Sequence, residues 1–591
     1  MSEETNAINE CKALAIRPPV EVHPSGSSAD GNPSSGGDGF YDGNDGPDTH
    51  DASSRTSGRR RKATASAPVL PSRSTMLSEL MELTADLQVR RGRLHGSRIL
   101  QVKIHDDDGS RWVATASESF SDFIRGMAFE RLGVGPKREL VDELVQHVEG
   151  RGIQSGLLPI GVRHVFSDDS LYVGRGPDAD EAILIDEHGY RVVESPPVMF
   201  QHSPYAGTLP IPEGGGDLAL LRRYFPNLTE RDFIALLGFI IASFVPNAPF
   251  PVLIVTGPAD SGKSTLNDIV RRILDPMVGF GARTMLPETA EDLVNVAVGR
   301  HLASFDNVSG LSNEMSDALC GLATGTAWEG RQLYAQGITK ALMGRCPVIL
   351  NGVTISNLRA DLASRAVPIE TQAFPADEDS DENQLRSSLD RDLPKILGFV
   401  CRAVAAALRD WRGTSVTCKH RLRDCIKFVT AAEPALGLPD GAIATAWIDA
   451  QVGHREELAD ADPVAALFWD MLPPGRYPDG FRGPANQIFE KVAEYEKIFN
   501  KKRPAGFPAD SGRLANHLRR NQDVLRRGGI LVEQLQRTAS ERGWWIRRAP
   551  ATAPAEPTTV KVSRPGTKAK ELVREIDAVT NSQKGGRTPA A

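Results

Sequence analysis

The first 75 residues carry no repeating apolar positions. Gly, Ser, Asp and Pro dominate stretches such as HPSGSSADGNPSSGGDGFYDGNDGPDTHDASS. Such a segment cannot bury enough apolar surface to offset its chain entropy, so residues 1–75 are expected to be a disordered arm. Periodicity begins after it. RILQVKIHDDDGSRWVATA (98–116) alternates on both sides of an Asp-Gly pair and predicts a hairpin, with Asp106, Asp107 and Asp108 read as turn residues rather than metal ligands. FSDFIRGMAFERLG and RELVDELVQHVEG have helical apolar spacing, while HVFSDDSLYVGRG, EAILIDEHGYRVVE and VMFQHS read as short strands. Residues 76–210 are therefore expected to form an α+β accessory domain, and they show no catalytic or primase-like acid pattern.

The most apolar stretch follows a Pro- and Gly-rich connector. FIALLGFIIASFVPNAPFPVLIV (233–255) is broken by Pro246 and Asn247, leaving too short a run to span a bilayer; a buried helix followed by a buried strand is expected. Alternating strand and helix patterns over 211–372 predict an α/β core. Helices are expected over 384–455 and a small basic unit over 460–548. The Pro-, Ala-, Thr- and Lys-rich tail 549–591 is read as disordered apart from one short helix at KAKELVREIDAVT.

Composition narrows this picture only slightly. The 591 residues are 40% hydrophobic and 25% charged, with a net charge of -7. That excludes a uniformly basic nucleic-acid coat but not local basic patches. The six cysteines form no CxxC pair, which argues against a zinc site or disulfide framework. No basic-then-apolar leader is seen, and a cytoplasmic location is expected. The run Arg59-Arg60-Arg61-Lys62 is either a solvated charge cluster or a nonspecific phosphate-binding arm.

The chemistry is concentrated at GPADSGKST, that is Gly257, Pro258, Ala259, Asp260, Ser261, Gly262, Lys263, Ser264 and Thr265. It matches the phosphate-binding loop pattern GxxxxGK[ST] and lies between an apolar strand, PVLIV, and an amphipathic helix, STLNDIVRRILD. Glycines let backbone N–H groups curl around phosphates, and the helix N-terminus adds partial positive charge. Lys263 is expected to reach the β- and γ-phosphates of ATP, and Ser264 to hold Mg²⁺. HLASFDN offers Asp306 as the acidic metal partner, followed by Asn307 where a second acid would activate water. Asp306 with Asn307, or Glu314 or Asp317, could share that task; slow hydrolysis is the other outcome. CPVILNG ends a third strand in Asn351, placed to orient water. Arg359 and Arg365 follow, and so far beyond that strand they are expected to face a neighbouring subunit's nucleotide rather than their own.

In this order of elements the chain resembles the AAA+ class of ring ATPases, and more narrowly the superfamily 3-like helicase ATPases of phages and mobile elements. FDNVSGLSNEMSDALCGLATGTAWEGRQLY, PVILNGV and RADLASRAV carry the resemblance, which is specific over about 200–372. It implies an oligomeric ATPase directed at nucleic acid, with a hexameric ring possible. It also implies a channel-facing hairpin between the acid and Asn strands, where RQLYA and KALMG would pair around QGIT. Arg331, Tyr334 and Lys340 would then grip a strand. Asn307 departs from the acid found in many relatives.

From Arg513 to Arg548 nine arginines stand against three acids. DSGRLANHLRRNQDVLRRGG reads as one capped helix with Leu514, Leu518 and Leu525 inward and Arg519, Arg520 and Arg526 outward. Two strands, ILVEQLQR and WWIRR, follow it. The outline is that of a winged helix, serving DNA or a protein partner. Three functions compete: a helicase-like DNA-replication ATPase, a nucleotide-gated scaffold with slow or no hydrolysis, and a small-molecule kinase. The last explains neither the Asn strand nor the trailing arginines.

Overall fold

A computed structural model describes residues 72–549 and 560–564, apart from 95–96, 107–108, 178, 204, 279–283, 332–338, 356–357, 375–381, 419, 461, 474–478 and 536–542; side-chain placement is also not described over 326–343 and at a few other positions. The arm, the Arg59–Lys62 run, Tyr334 and the KAKELVREIDAVT segment lie outside the described residues.

Helix α1 (Arg73–Leu83), strands β1 (Val89–Leu94), β2 (Ser97–Asp106) and β3 (Gly109–Ala114), and helices α2 (Glu118–Leu132) and α3 (Arg138–Ile153) make a first layer. The expected hairpin is β2–β3, Gln101 opposite Ala114 through Asp106 opposite Gly109. Ser117 caps α2 by accepting from the Phe120 N–H, and Phe120, Ile124, Leu144 and Val148 fill a separate small core with Val102 and Ile104. Strand β4 (Leu157–Leu158) completes this sheet beside β1. Strand β5 (Ile160–Gly161) leads to a four-stranded antiparallel meander, β6 (His164–Ser167), β7 (Ser170–Gly174), β8 (Ala182–Asp186) and β9 (Gly189–Val193); β10 (Met199–Phe200) then returns to pair with β5. The meander does not belong to an accessory domain ending at 210. Leu171, Val173, Ile183 and Ile185 on its inner face share one core with the elements that follow. Alternation along those strands leaves an apolar face that only the next layer covers.

That next layer starts with α4 (Leu218–Arg222) and α5 (Glu230–Ala242), the latter capped by Thr229. Almost every α5 side chain from Phe233 on is buried, and β11 (Val252–Thr256) follows, so the long apolar stretch is a buried helix and a buried strand as expected. No helix of the described residues is long and apolar enough to cross a membrane. The elements that follow are α6 (Lys263–Leu274), β12 (Thr284–Met285), α7 (Ala290–Val298), β13 (Ala303–Asp306), α8 (Asn313–Thr324), the separate pair β14 (Thr326–Arg331) and β15 (Thr339–Gly344), then β16 (Val348–Asn351), α9 (Ala360–Ala363) and β17 (Ala366–Glu370). The sheet order is β12-β13-β16-β11-β17, all parallel. Strand β16 thus inserts between β11 and β13, and the carboxyl ends of the three meet on one edge, where a parallel α/β sheet places its ligands.

A hairpin does lie between β13 and β16, but its first strand begins five residues earlier than the sequence suggested. Thr326–Arg331 pairs with Thr339–Gly344, Trp328 opposite Leu342, and of the expected first strand, 331–335, only Arg331 lies in it, the rest being outside the described residues. TAWEGR, not RQLYA, supplies the partner strand.

Helices α10 (Glu382–Asp410), α11 (Arg423–Leu436) and α12 (Ala442–Asp460) pack on α5 and β17, with the short strand β18 (Ser415–Thr417) between α10 and α11. They form one core with the sheet rather than a separate region. The C-terminal unit has its own core: α13 (Pro463–Met471), β19 (Phe481–Pro484), α14 (Ala485–Phe499), α15 (Ser511–Arg520), α16 (Gln522–Arg527), β20 (Ile530–Gln534) and β21 (Gly543–Arg548). The expected single helix breaks at Asn521, which the α15 C-terminus and α16 N-terminus share; Leu514, Leu518 and Leu525 still point into that core. A strand unseen in the sequence, β19, extends the pair to β19-β21-β20. The tail also departs from its expected disorder. Strand β22 (Lys561–Ser563) pairs antiparallel with β18, and Arg564 bonds Asp440 and the Thr430 carbonyl. Backbone pairing and one half-buried guanidinium anchor a segment whose composition alone could not.

Candidate functional site

Strand β11 delivers the chain into a tight loop whose shape depends on positive φ. Gly257 has φ +146°, Asp260 +58° and Gly262 +75°. A Cβ on Gly257 would stand 2.4 Å from the Thr371 carbonyl oxygen, so only glycine fits there. The loop is braced from behind. Ser261 Oγ lies 2.6 Å from Thr371 Oγ1, and Asn227 Nδ2 donates to the Ser261 carbonyl at 2.5 Å. Phe374, partly exposed, packs over Gly262. Asn227, Thr371 and Phe374 were missed in the sequence because each lies far from the loop along the chain and matches no motif.

Lys263 opens α6 and folds back onto the loop, donating to the Gly257 carbonyl at 3.0 Å and to that of Pro258. Partial burial lowers its pKa, while Asp306 and Asp260 act to raise it. Pro258, Ala259 and Asp260 are exposed, whereas Ser264 and Thr265 are half-buried on the first helical turn.

The loop meets the ends of the neighbouring strands. Ser264 Oγ donates to Asp306 Oδ2 at 3.1 Å. Asp306 is 8% exposed and Asn351 1%. Register puts Val255 opposite Asn351 and Leu350 opposite Phe305, so Asn351 sits between the loop strand and the acid strand. Asn307 takes φ +57°, and its backbone N–H donates to both Asp306 Oδ1 (2.9 Å) and Asn351 Oδ1 (3.1 Å). The Nδ2 of Asn351 is buried with no partner among the described residues. A hydroxyl and a carboxylate side by side form an oxygen donor pair of the kind hard divalent cations take, so these residues fit Mg²⁺.

The arginines lie elsewhere. Arg365 precedes β17, and its carbonyl accepts from the Val252 N–H at the start of β11, which is the sheet edge opposite the loop. It is 7% exposed and bonds Asp361 at 2.7 Å. Arg359 is half-buried and pairs with Asp317, one of the acids considered as a helper of Asp306. Glu314 stands in the first turn of α8. In the hairpin, Arg331 is opposite Thr339 and Lys340 opposite Gly330 by backbone register. In the C-terminal unit, Arg519 and Arg520 are exposed at the end of α15, Arg519 bonding Asn516 at 3.0 Å.

Comparison with known proteins gives the following. A search of curated proteins returns no match. The chain shows similarity to the solved structure of the SCCmec type IV Cch active helicase, with 12% identity over 78% of this chain and 93% of that one and a TM-score of 0.41. The NrS-1 C-terminal region is similar at 12% identity over 80% and 99%, with a TM-score of 0.34. The JCV helicase is similar at 15% identity over 38% and 67%, with a TM-score of 0.17. Residues 219–448, from α4 to the middle of α12, match the family of actinomycete integrative conjugative element replication proteins.

Proposed function

We propose that this chain is an ATP-driven motor of DNA replication for a mobile element or phage, working as a homo-oligomeric ring. The observation that carries the reading is the meeting of Ser264, Asp306 and Asn351 at the mouth of the Gly257–Ser264 loop. The loop's backbone N–H groups and the α6 N-terminus would hold the phosphates of ATP. Lys263 would leave the loop carbonyls for the β- and γ-oxygens. Ser264 and Asp306 would hold Mg²⁺, which when bound neutralises charge developing on the phosphates. Asn351, its Nδ2 unpartnered, would orient the attacking water. Arg359, half-buried at the start of α9, would serve the nucleotide of a neighbouring copy, with Arg365 placing it through Asp361. The match to a replication-protein family supports DNA as the partner. The helix–strand–helix–helix–helix–strand–strand order of 463–548, with Arg519 and Arg520 outward, fits the layout of a winged helix and supports a second DNA contact there.

One observation favours a second reading, a nucleotide-gated scaffold with slow turnover. Asn307 replaces a second acid, and its backbone N–H is engaged by both Asp306 and Asn351. Phosphate release by the full-length protein, with and without single-stranded DNA and beside Lys263→Ala, separates the two. Turnover that rises several-fold with DNA and vanishes in the variant supports the motor. Tight ATP binding with negligible turnover, unmoved by DNA, favours the scaffold.

A further inference from the structure

The chain leaves β17 beside the phosphate loop. Strands β11 and β17 pair from Val252 opposite Ala366 to Thr256 opposite Glu370, so both end at one level, the first leading into Gly257 and the second into Thr371. Two backbone bonds pin the segment after β17. The Thr371 N–H donates to the Thr256 carbonyl at 2.8 Å, and the Gln372 N–H donates to the Asn227 carbonyl at 2.9 Å. Thr371 and Asn227 are buried, whereas Phe374, two residues past Gln372, is 36% exposed. Cζ and Cε2 are its ring atoms nearest Gly262, so the ring meets the loop by its tip rather than by a face. No ring or cation among the described residues stacks on it.

An exposed phenylalanine by itself needs no explanation. The position of this one does. The central sheet runs β12-β13-β16-β11-β17. Asp306 and Asn351, at the ends of β13 and β16, lie on one side of the loop strand, and Phe374 follows the strand on the other side. A triphosphate on the loop would turn its β- and γ-oxygens towards the metal held by Ser264 and Asp306. Its α-phosphate, ribose and base would then leave on the β17 side. There a flat base passes a ring with an open face, and stacking is the contact this arrangement supplies. We infer that Phe374 is the stacking platform for the nucleobase, held at the loop by the Thr371–Thr256 and Gln372–Asn227 backbone bonds. This rests on the nucleotide reading of the Gly257–Ser264 loop and deepens it: the site takes a nucleoside triphosphate rather than any polyphosphate.

The test uses full-length protein and isothermal titration with two probes that share their phosphates, ATP and inorganic tripolyphosphate, each with Mg²⁺. Phe374→Ala should weaken ATP about ten-fold and tripolyphosphate by less than about two-fold, while Phe374→Tyr keeps wild-type affinity for both. Relief of the Gly262→Ala clash by Phe374→Ala is read against Phe374→Ala alone, which separates the ring's contact with the loop from its contact with the base. In the wild type, 8-azido-ATP should label the tryptic peptide 366–386 on illumination, a readout that does not depend on any variant folding. Equal losses of ATP and tripolyphosphate in Phe374→Ala would overturn the inference, because the ring would then act only by shaping the loop. Wild-type affinity for ATP in Phe374→Ala, with the label on another peptide, would also overturn it and leave the nucleotide reading standing. A wild type that binds neither probe removes the nucleotide reading and the stacking platform together.

Discussion

The Ser264 hydroxyl donates to the Asp306 carboxylate at 3.1 Å, joining the first turn of α6 to the end of β13 across 42 residues of chain. Under the proposed reading these two oxygens would hold Mg²⁺. Ser264→Ala and Asp306→Asn should each leave the fold intact and lower ATP turnover by about 10²–10³, the cost typical of losing one preorganised electrostatic contact. Phosphate release at saturating ATP and Mg²⁺ checks this.

Asn351 should separate binding from chemistry. Its Oδ1 holds the Asn307 N–H while its Nδ2 is unpartnered. Asn351→Asp keeps the acceptor and removes the donor. Fluorescent-nucleotide affinity should stay within about two-fold while turnover falls about 100-fold. Equal losses in both would argue against a water-orienting role.

The two glycines of the loop should differ. A Cβ at Gly257 meets backbone, the Thr371 carbonyl, at 2.4 Å; at Gly262 it meets the end of the Phe374 ring at 2.6 Å. A ring can swing and a sheet strand cannot. Gly257→Ala should abolish nucleotide binding. Gly262→Ala should cost about 1–2 kcal/mol for its left-handed φ, and part of its loss should return in the double variant with Phe374→Ala. Isothermal titration with ATP measures all three.

Beneath the sheet, stability should fall with acid. Burial pushes His301 down to about 4 and His202 to about 3, and holds His164 well below its ordinary range despite the Ser243 carbonyl; Arg163 acts in the same direction on each. Histidines depressed in the folded state bind protons only on unfolding. Their stabilisation is complete above about pH 6.5 and is lost as pH falls towards 4, with His301 alone accounting for about 3 kcal/mol. For Asp275, burial raises the carboxyl, but Arg163, His301 and Arg271 outweigh it and leave it lowered. It therefore adds a further loss only at still lower pH. Chemical denaturation between pH 4 and 8 reads the window, and Asp275→Asn should cost about 3–5 kcal/mol by leaving Arg163 buried and unpaired.

The tail strand should matter most at neutral pH. Glu433, wholly buried, accepts from the Gly441 and Ile443 N–H groups, and Arg564 lies 3.6 Å away. Burial pushes its carboxyl up to about 7, with the two N–H donors and Arg564 opposing. A raised acid is stabilising below its ordinary value and loses that contribution as pH rises through 7. Truncation after residue 559 removes the opposing charge. The melting temperature should drop by several degrees at pH 7.5 and by less at pH 5.

Much of this molecule is written locally. GPADSGKST between an apolar strand and an amphipathic helix, Asp306 and Asn351 at the ends of apolar runs, and the break at Pro246 all depend on residues within one strand or one helical turn of each other. Local propensity and periodicity therefore reveal them. What sequence alone could not determine depends on contacts between distant segments. Burial across a sheet face drew 171–185 into the same core as α5 and α10. The insertion of β16 between β11 and β13 brought Asn351 beside Asp306. Thr371 and Asn227 brace the loop from more than thirty residues away, and Arg564 reaches Glu433 across the helical layer. The hairpin register belongs to this second class too, because local pattern left the first strand's start open and only pairing along the whole strand fixes it. Side-chain period announces that a face must be covered; which segment covers it is settled by the packing of the whole chain.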